Sequence, residues 1–162
     1  MKLKSYKETQ RIIKENDHNL QIDMDPAPES FIKETEKILD LKFSDDYIDF
    51  LKDYGFLGYG SLELYGVTNG DPYVKSVFNT VWMALDERKN YNLPQQFVIV
   101  AESGMGELYV LDTKTNRVEL VELGDDDEFN IVPDEPEESY ENFSAFFCKM
   151  VQQEEKSEEN NE

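Results

Sequence analysis

The side chains that most often carry catalysis or bind metal ions are scarce in this sequence. It contains one histidine, His18, and one cysteine, Cys148. A zinc site needs more ligands of these types, and a serine triad would have to use His18, which lies in a polar stretch with no nucleophile motif in the chain. Cys148 lies beside the apolar face of a predicted helix, where a partly buried structural thiol is expected. We therefore predict no catalytic residue, no metal site and no cofactor, and we expect that the protein is not an enzyme.

Two glycine clusters have the composition of loops that cradle a ligand. Gly58-Tyr59-Gly60 lacks the third glycine of a dinucleotide-binding fingerprint, and no P-loop lysine follows either cluster. Gly104-Met105-Gly106 falls between two predicted strands, where a hairpin turn explains it. Only residues 58–60 and the strand that follows them are retained as a possible binding surface.

Charge is the strongest signal in the composition. The chain has 16 basic and 36 acidic residues, and its formal net charge is -20. A surface of this sign repels phosphate backbones, so direct binding of DNA or RNA is not expected. The same field accelerates association with a basic protein. Solubility is the alternative explanation of the charge. The acidic run at residues 125–128 lacks the spacing of a calcium-binding loop, and a solvated loop is the better interpretation.

The elements that must position these residues follow from hydrophobic periodicity and from helix-end signals. A capping box at Ser5 and Glu8 marks the start of the first helix. Ser44 and Gly55 mark the start and the end of the third. Helices are predicted at residues 5–16, 28–40, 44–54, 76–90 and from 139 onward. Strands are predicted at residues 61–68, 97–102, 107–112 and 117–123, the last three as an antiparallel meander. The acidic link at residues 124–139 and the polar segment at residues 17–30 are predicted to be loops.

This order of elements predicts an α+β fold in a single domain, with a mostly antiparallel sheet flanked by helices. Residues 1–27 form an N-terminal helix and loop that we expect to pack on a domain at residues 28–151. The acidic tail at residues 152–162 is predicted to be disordered. The first residues lack the apolar region of a signal peptide, and no stretch is apolar for long enough to span a membrane, so a cytoplasmic location is expected.

Three stretches resemble the SUKH superfamily, which includes fungal regulators of cell-wall synthesis. They are PESFIKETEKILDLKFSDDYIDFLKDYGFLG, LPQQFVIVAESGMGELYVLDTKT and SYENFSAFFCKMV, and with the segments between them they cover most of the chain from about Pro28 to Val151. Ser44 stands where the family often has proline, and Tyr54-Gly55 stands where it often has Asn-Gly or Gly-Gly. The resemblance implies a SUKH-like fold and a protein-binding module.

Many bacterial members of this superfamily resemble immunity proteins of polymorphic toxin systems, which bind a toxin domain, often a nuclease, and block it. The resemblance therefore implies a cognate toxin with a basic surface as the partner, and neither nucleic acid nor membrane. A regulatory or scaffold module with an ordinary cellular partner is the alternative. An enzyme that uses carboxylates is a third hypothesis, and no motif supports it.

Under the immunity hypothesis, the expected contact residues are acidic side chains that supply the field and an exposed tyrosine that supplies an aromatic anchor. Solvated surface is the alternative for each acid, and a core position is the alternative for each tyrosine. The candidates are Asp125, Asp126, Asp127, Glu128, Glu135, Glu137, Glu138, Tyr59 and Tyr65.

Overall fold

The computed structural model describes residues 2–22, 26–67, 73, 75, 79–125, 128–131 and 138–160. These residues form five α-helices and seven strands, which confirms the predicted α+β class. The helices are α1 (Lys4–Glu15), α2 (Glu29–Leu39), α3 (Asp45–Asp53), α4 (Thr80–Tyr91) and α5 (Phe143–Asn160). The strands are β1 (Leu20–Ile22), β2 (Leu57–Tyr59), β3 (Leu62–Leu64), β4 (Phe97–Glu102), β5 (Leu108–Asp112), β6 (Arg117–Leu123) and β7 (Phe129–Ile131).

The strands form two antiparallel sheets, with orders β1-β2-β3 and β4-β5-β6-β7. The amide of Tyr65, just after β3, donates to the carbonyl of Val100 in β4 over 2.8 Å and joins the two sheets. The second sheet contains the predicted meander, and β7 extends it. Because neighbouring strands alternate in direction, the β4–β5 and β6–β7 turns lie at one end of this sheet and the β5–β6 turn lies at the other.

Aromatic side chains from three helices form the centre of the core. Tyr6 of α1, Phe50 of α3 and Phe147 of α5 are fully buried, with ring centroids 5.6 Å apart for Tyr6 and Phe147 and 5.5 Å apart for Phe50 and Phe147. Edge-to-face pairs at such distances are favourable beyond the area that they bury. The Tyr6 hydroxyl also donates to Asp53 over 2.7 Å. The N-terminal helix is therefore packed against α3 and α5.

The helix-end predictions are partly wrong at the first helix. Ser5 lies inside α1, whose N-cap is Leu3, and Glu8 pairs with Arg11 instead of reaching back to a helix amide. At the third helix, Ser44 is the N-cap residue as predicted, but its hydroxyl donates to Asp46 over 2.8 Å. Gly55 has a φ of 73°, as expected for a residue that ends a helix in the left-handed region.

Three strands and one helical segment differ from the prediction. β1 and β7 lie in segments predicted to be loops, and β2 directly precedes the predicted strand. Residues 152–160, predicted to be disordered, continue α5 to Asn160, because carboxylates of this segment bond to the β2–β3 hairpin. The first residues of the predicted helix at 76–90, residues 76–78, lie outside the described part of the chain. The helix α4 is described from Thr80.

Candidate functional site

A cleft of about 390 Å³ lies between the β2–β3 turn, the end of β4 and the later turns of α5. We call it the Tyr65 cleft after the tyrosine that lines it. Three carboxylates, those of Glu63, Glu102 and Glu154, are part of its lining, and no lysine or arginine is among the described residues that line it. Met150 of α5 adds an apolar surface. The arrangement favours a ligand that combines positive charge with an apolar part.

Tyr65 is a buried residue of this cleft, with only 4% of its surface exposed. Its backbone is held on both sides, since its amide donates to Val100 and its carbonyl accepts a hydrogen bond of 2.8 Å from the Tyr47 hydroxyl. Burial raises the pKa of Tyr65, the negative charges of Glu102 and Glu63 act in the same direction, and together they bring it to about 12. The hydroxyl of Tyr65 has no hydrogen-bond partner among the described residues. The phenol is therefore neutral at physiological pH and able to bond to a ligand.

One wall of the cleft is the β2–β3 turn, which α5 closes. The amide of Ser61 donates to Glu154 Oε1 over 2.6 Å, and the Ser61 hydroxyl donates to the same carboxylate over 2.8 Å. Gly60 has a φ of 59°, and a Cβ on it would lie 2.8 Å from Glu154 Cγ. The turn and α5 therefore pack closely, and the Glu154 carboxylate already accepts hydrogen bonds within the protein.

Tyr59 also belongs to this internal contact. It is fully buried, and its hydroxyl donates to Glu155 Oε1, which also accepts a hydrogen bond of 3.2 Å from Asn19 Nδ2. The prediction that Tyr59 or Tyr65 is exposed is therefore wrong. Both side chains are buried, in agreement with the alternative prediction of core positions. Of the two, Tyr65 lines an open cleft and Tyr59 anchors α5.

The opposite wall begins at the β4–β5 turn, and this turn is open. Gly104 and Gly106 have φ values of 88° and 91°, and a Cβ on either would have no atom within 4 Å. Met105 between them is 85% exposed, the largest exposed fraction of any large hydrophobic residue in the described part of the chain. Its amide donates to the Ser103 hydroxyl oxygen over 3.0 Å, which fixes the turn. A methionine side chain therefore projects into solvent beside an acidic cleft.

The predicted acidic residues occupy two places. Asp125 and Glu128 are exposed in the β6–β7 turn, at the same end of the sheet as Glu102. Glu138 lies beside the sheet, where its Oε2 accepts hydrogen bonds of 2.7 Å from the Tyr109 hydroxyl and 3.0 Å from the Tyr140 hydroxyl. Asp126, Asp127, Glu135 and Glu137 lie outside the described residues. We call the end of the sheet that carries Glu102, Asp125 and Glu128 the acidic end.

Sequence reasoning missed Glu63, Glu102, Glu154 and Met105. The alternation of LELY places Glu63 and Tyr65 on one side of the chain, two residues apart, and this could have joined them. Glu102 and Met105 belong to a hairpin that sequence reasoning explained as a turn. Glu154 lies in the segment predicted to be disordered, and nothing in the local sequence indicates its contact with Ser61, 93 positions away.

Two other clefts differ in chemistry from the Tyr65 cleft. One of about 440 Å³ lies at the start of α3, and the Asp46 carboxylate in its lining is occupied by the amide and the hydroxyl of Ser144, each at 2.8 Å. Another of about 290 Å³ includes Lys42 and Lys114 and lies near the β5–β6 turn, at the other end of the sheet from the acidic end. Its lining also includes Asp40, so the net charge of its described lining is positive, opposite in sign to that of the Tyr65 cleft at the other end of the sheet.

Metal-binding clusters and membrane-spanning helices are both absent from the described ranges. No group of three or more His, Cys, Asp or Glu side chains there is placed to hold a metal ion. No helix among the same residues combines the length and the apolar character that crossing a membrane requires.

Comparison with known proteins agrees with the architecture. A crystal structure of a protein from Pseudomonas syringae pv. tomato matches with a TM-score of 0.61 and 17% sequence identity, over 85% of this chain and 93% of that one. At this identity the likeness shows a shared fold. No curated protein matches the chain. The model of the SUKH_5 family, described as SMI1-KNR4 cell-wall, matches residues 7–152. Because this match spans most of the chain, from α1 into α5, the protein belongs to the SUKH family.

Proposed function

We propose that the protein is an immunity protein that binds a cognate polymorphic toxin domain, in particular a nuclease, and neutralises it. The observation that carries the proposal is the Tyr65 cleft, in which Glu63, Glu102 and Glu154 are not accompanied by a cationic side chain among the described lining residues. A nuclease presents basic surface to its phosphate substrate, and an acidic cleft with an apolar part complements such a surface. Membership of the SUKH family supports a binding module.

Charge is also distributed unevenly along the chain, in a way that supports this proposal. Residues 101–162 contain more than half of the 36 acidic residues but only four of the 16 basic ones. The strands β5 to β7, the last two residues of β4 and the turns of the acidic end belong to this part. The exposed residues Glu102, Asp125 and Glu128 of the acidic end steer a basic partner to that end, which a uniformly acidic surface that serves only solubility would not do.

Co-expression with toxins encoded beside its gene tests the proposal. We expect the protein to restore survival with one of these toxins and to co-purify with it. Association should slow by about tenfold or more between low and high salt, because long-range steering is screened, while dissociation changes less. Failure to rescue cells from any neighbouring toxin would overturn the proposal. Capture of a non-toxin regulator in the same cells would favour the scaffold alternative.

Charge reversal at matched sites tests the role of the acidic end. In the variant Glu102→Lys/Asp125→Lys, toxin association should slow by about tenfold or more. The control Glu34→Lys/Glu141→Lys changes the net charge by the same amount at exposed positions outside the cleft lining. Equal slowing in both variants would show that net charge, and not its position, governs association.

A further inference from the structure

We propose that the Tyr65 cleft is a receptor for one lysine side chain of the partner. The Tyr65 hydroxyl and the carboxylates of Glu63 and Glu102 bond to its ammonium group, and Leu62 and Met150 cover its methylene stem. That the partner is a toxin rests on the proposed function. The chemistry of the receptor rests only on the cleft.

The Tyr65 hydroxyl is the first observation that points to a ligand. Among the described residues only Arg88 Nε is a buried side-chain nitrogen or oxygen without a partner, so solvent reaches the Tyr65 hydroxyl although most of the side chain is buried. Tyr65 is 4% exposed and its hydroxyl has no partner among the described residues, whereas the hydroxyls of Tyr59 and Tyr109 each donate to a glutamate. Glu63 and Glu102 line the same cleft as Tyr65, and their negative charges raise the pKa of its hydroxyl. The hydroxyl is therefore open to solvent in an acidic cleft, where a ligand can replace the water that bonds to it.

The surrounding charges select the sign and the bonding pattern of the ligand. Glu63 and Glu102 are exposed and form no ion pair among the described residues, while Glu154 is bonded to Ser61. Ionised carboxylates only accept hydrogen bonds, and a phenol oxygen accepts one as well. An ammonium group carries three N–H donors and no acceptor, so it can donate to all three groups. An anion would be repelled, and a neutral amide would leave the charges unpaired.

The apolar part of the cleft suits the remainder of a lysine side chain. Leu62 is partly buried and Met150 is 9% exposed, and both line the cleft beside the carboxylates. Lysine commonly places its four methylenes along apolar surface while its charged end reaches polar groups. A metal ion or a free ammonium ion would use the carboxylates and leave this surface uncovered. The combination therefore favours an amphipathic cation.

Methyl NMR of the protein labelled with ¹³C at its methionine methyl groups tests the receptor directly. The probe is Nα-acetyl-lysine methylamide, and the control ligand is Nα-acetyl-norleucine methylamide, which has a similar stem and no charge. We expect the lysine probe to shift the Met150 methyl signal saturably, and the norleucine probe to bind at least about tenfold more weakly, since it lacks the charge-assisted hydrogen bonds. The arginine derivative, with its planar group, should fall between them.

Matched variants assign the effect to the named groups. Glu63→Gln/Glu102→Gln should weaken binding of the lysine probe by about tenfold or more, and Tyr65→Phe by about tenfold, in keeping with the loss of one hydrogen bond from a charged donor. Glu34→Gln/Glu141→Gln removes the same two charges outside the cleft lining and should bind the probe like the wild type. Equal shifts with the norleucine and lysine probes, or equal weakening in the two double variants, would overturn the proposal.

The outcomes separate the receptor from the immunity function, because the titration contains no toxin. Probe binding that requires Glu63 and Glu102, together with no rescue by any neighbouring toxin, would retain the receptor and refute the immunity function. Rescue that is undiminished in Glu63→Gln/Glu102→Gln, together with no specific probe binding, would retain the immunity function and refute the receptor.

Discussion

The β2–β3 and β4–β5 turns flank the same cleft and have similar sequences, GYGS and SGMG, yet they have opposite surroundings. At the first, Gly60 faces Glu154 and the Tyr59 hydroxyl bonds to Glu155, so α5 occupies the turn. At the second, Gly104 and Gly106 face open space and Met105 is 85% exposed. A glycine turn is therefore available to a partner only where the rest of the chain leaves it uncovered.

Alanine at the two turns should give the largest difference in stability. Both glycines have positive φ, so alanine costs about 1 kcal/mol of strain at either site. At Gly60 the Cβ also displaces Glu154 and disrupts its bonds to Ser61, so Gly60→Ala should lower the free energy of unfolding by about 2–3 kcal/mol in total. Gly104→Ala should lower it by about 1 kcal/mol. Urea denaturation measures both, and equal losses would show that α5 does not close the first turn.

Sequence reasoning identified the elements that have a local hydrophobic pattern. It missed the elements that are stabilised by contacts with residues distant in sequence. The apolar run of β4 and the alternation before Tyr65 are local, and both predicted strands. β1 and β2 have three residues each and pair across a separation of nearly forty positions, so neither shows a repeat of its own. The later turns of α5 are too acidic to predict an ordered helix, but Glu154 and Glu155 have partners on the hairpin.

The candidate site was accessible to sequence reasoning only in part. Tyr65 was predicted to be part of the site, but as an exposed anchor. An alternating pattern shows which residues share one side of a strand, and it does not show which element covers that side. Met105 was assigned to a turn, which is correct, but its exposure depends on the absence of a covering element, and no local pattern reports that. The negative sign of the surface charge could be inferred from composition. The position of the acidic end could not, because it depends on the strand order of the meander.

Removal of one hydroxyl should distinguish the two tyrosines. Tyr59→Phe deletes the bond to the partly exposed Glu155 and should lower the free energy of unfolding by about 1 kcal/mol. Tyr65→Phe deletes no described intramolecular hydrogen bond and should change it by less than about 0.5 kcal/mol. Thermal and urea denaturation of both variants provide the measurement. A loss at Tyr65 as large as that at Tyr59 would mean that the Tyr65 hydroxyl already has a strong partner within the protein.

Alkaline pH should act on Tyr65 in a predictable direction. Its pKa in the folded protein is about 12, above the ordinary value of 10.0, so the contribution of the neutral buried phenol to stability is complete below pH 10 and is lost between pH 10 and 12. In Tyr65→Phe, the free energy of unfolding should therefore fall less over this interval than in the wild type. Urea denaturation from pH 9 to 12 tests this, with Tyr91→Phe, at an exposed position, as the control. An identical pH dependence in wild type and Tyr65→Phe would show that Tyr65 ionises without a folding penalty.

Met105 should show the smallest effect on stability and a selective effect on binding. Because its side chain is 85% exposed, Met105→Ala should change the free energy of unfolding by less than about 0.5 kcal/mol. If the open turn contacts the toxin, the variant should dissociate several times faster, about fivefold for 1 kcal/mol of lost apolar contact. Leu3→Ala, at an exposed apolar residue outside the lining of the Tyr65 cleft, should leave dissociation unchanged. Unchanged dissociation in Met105→Ala would mean that the openness of this turn has no role in recognition, and the two turns would then differ only in packing.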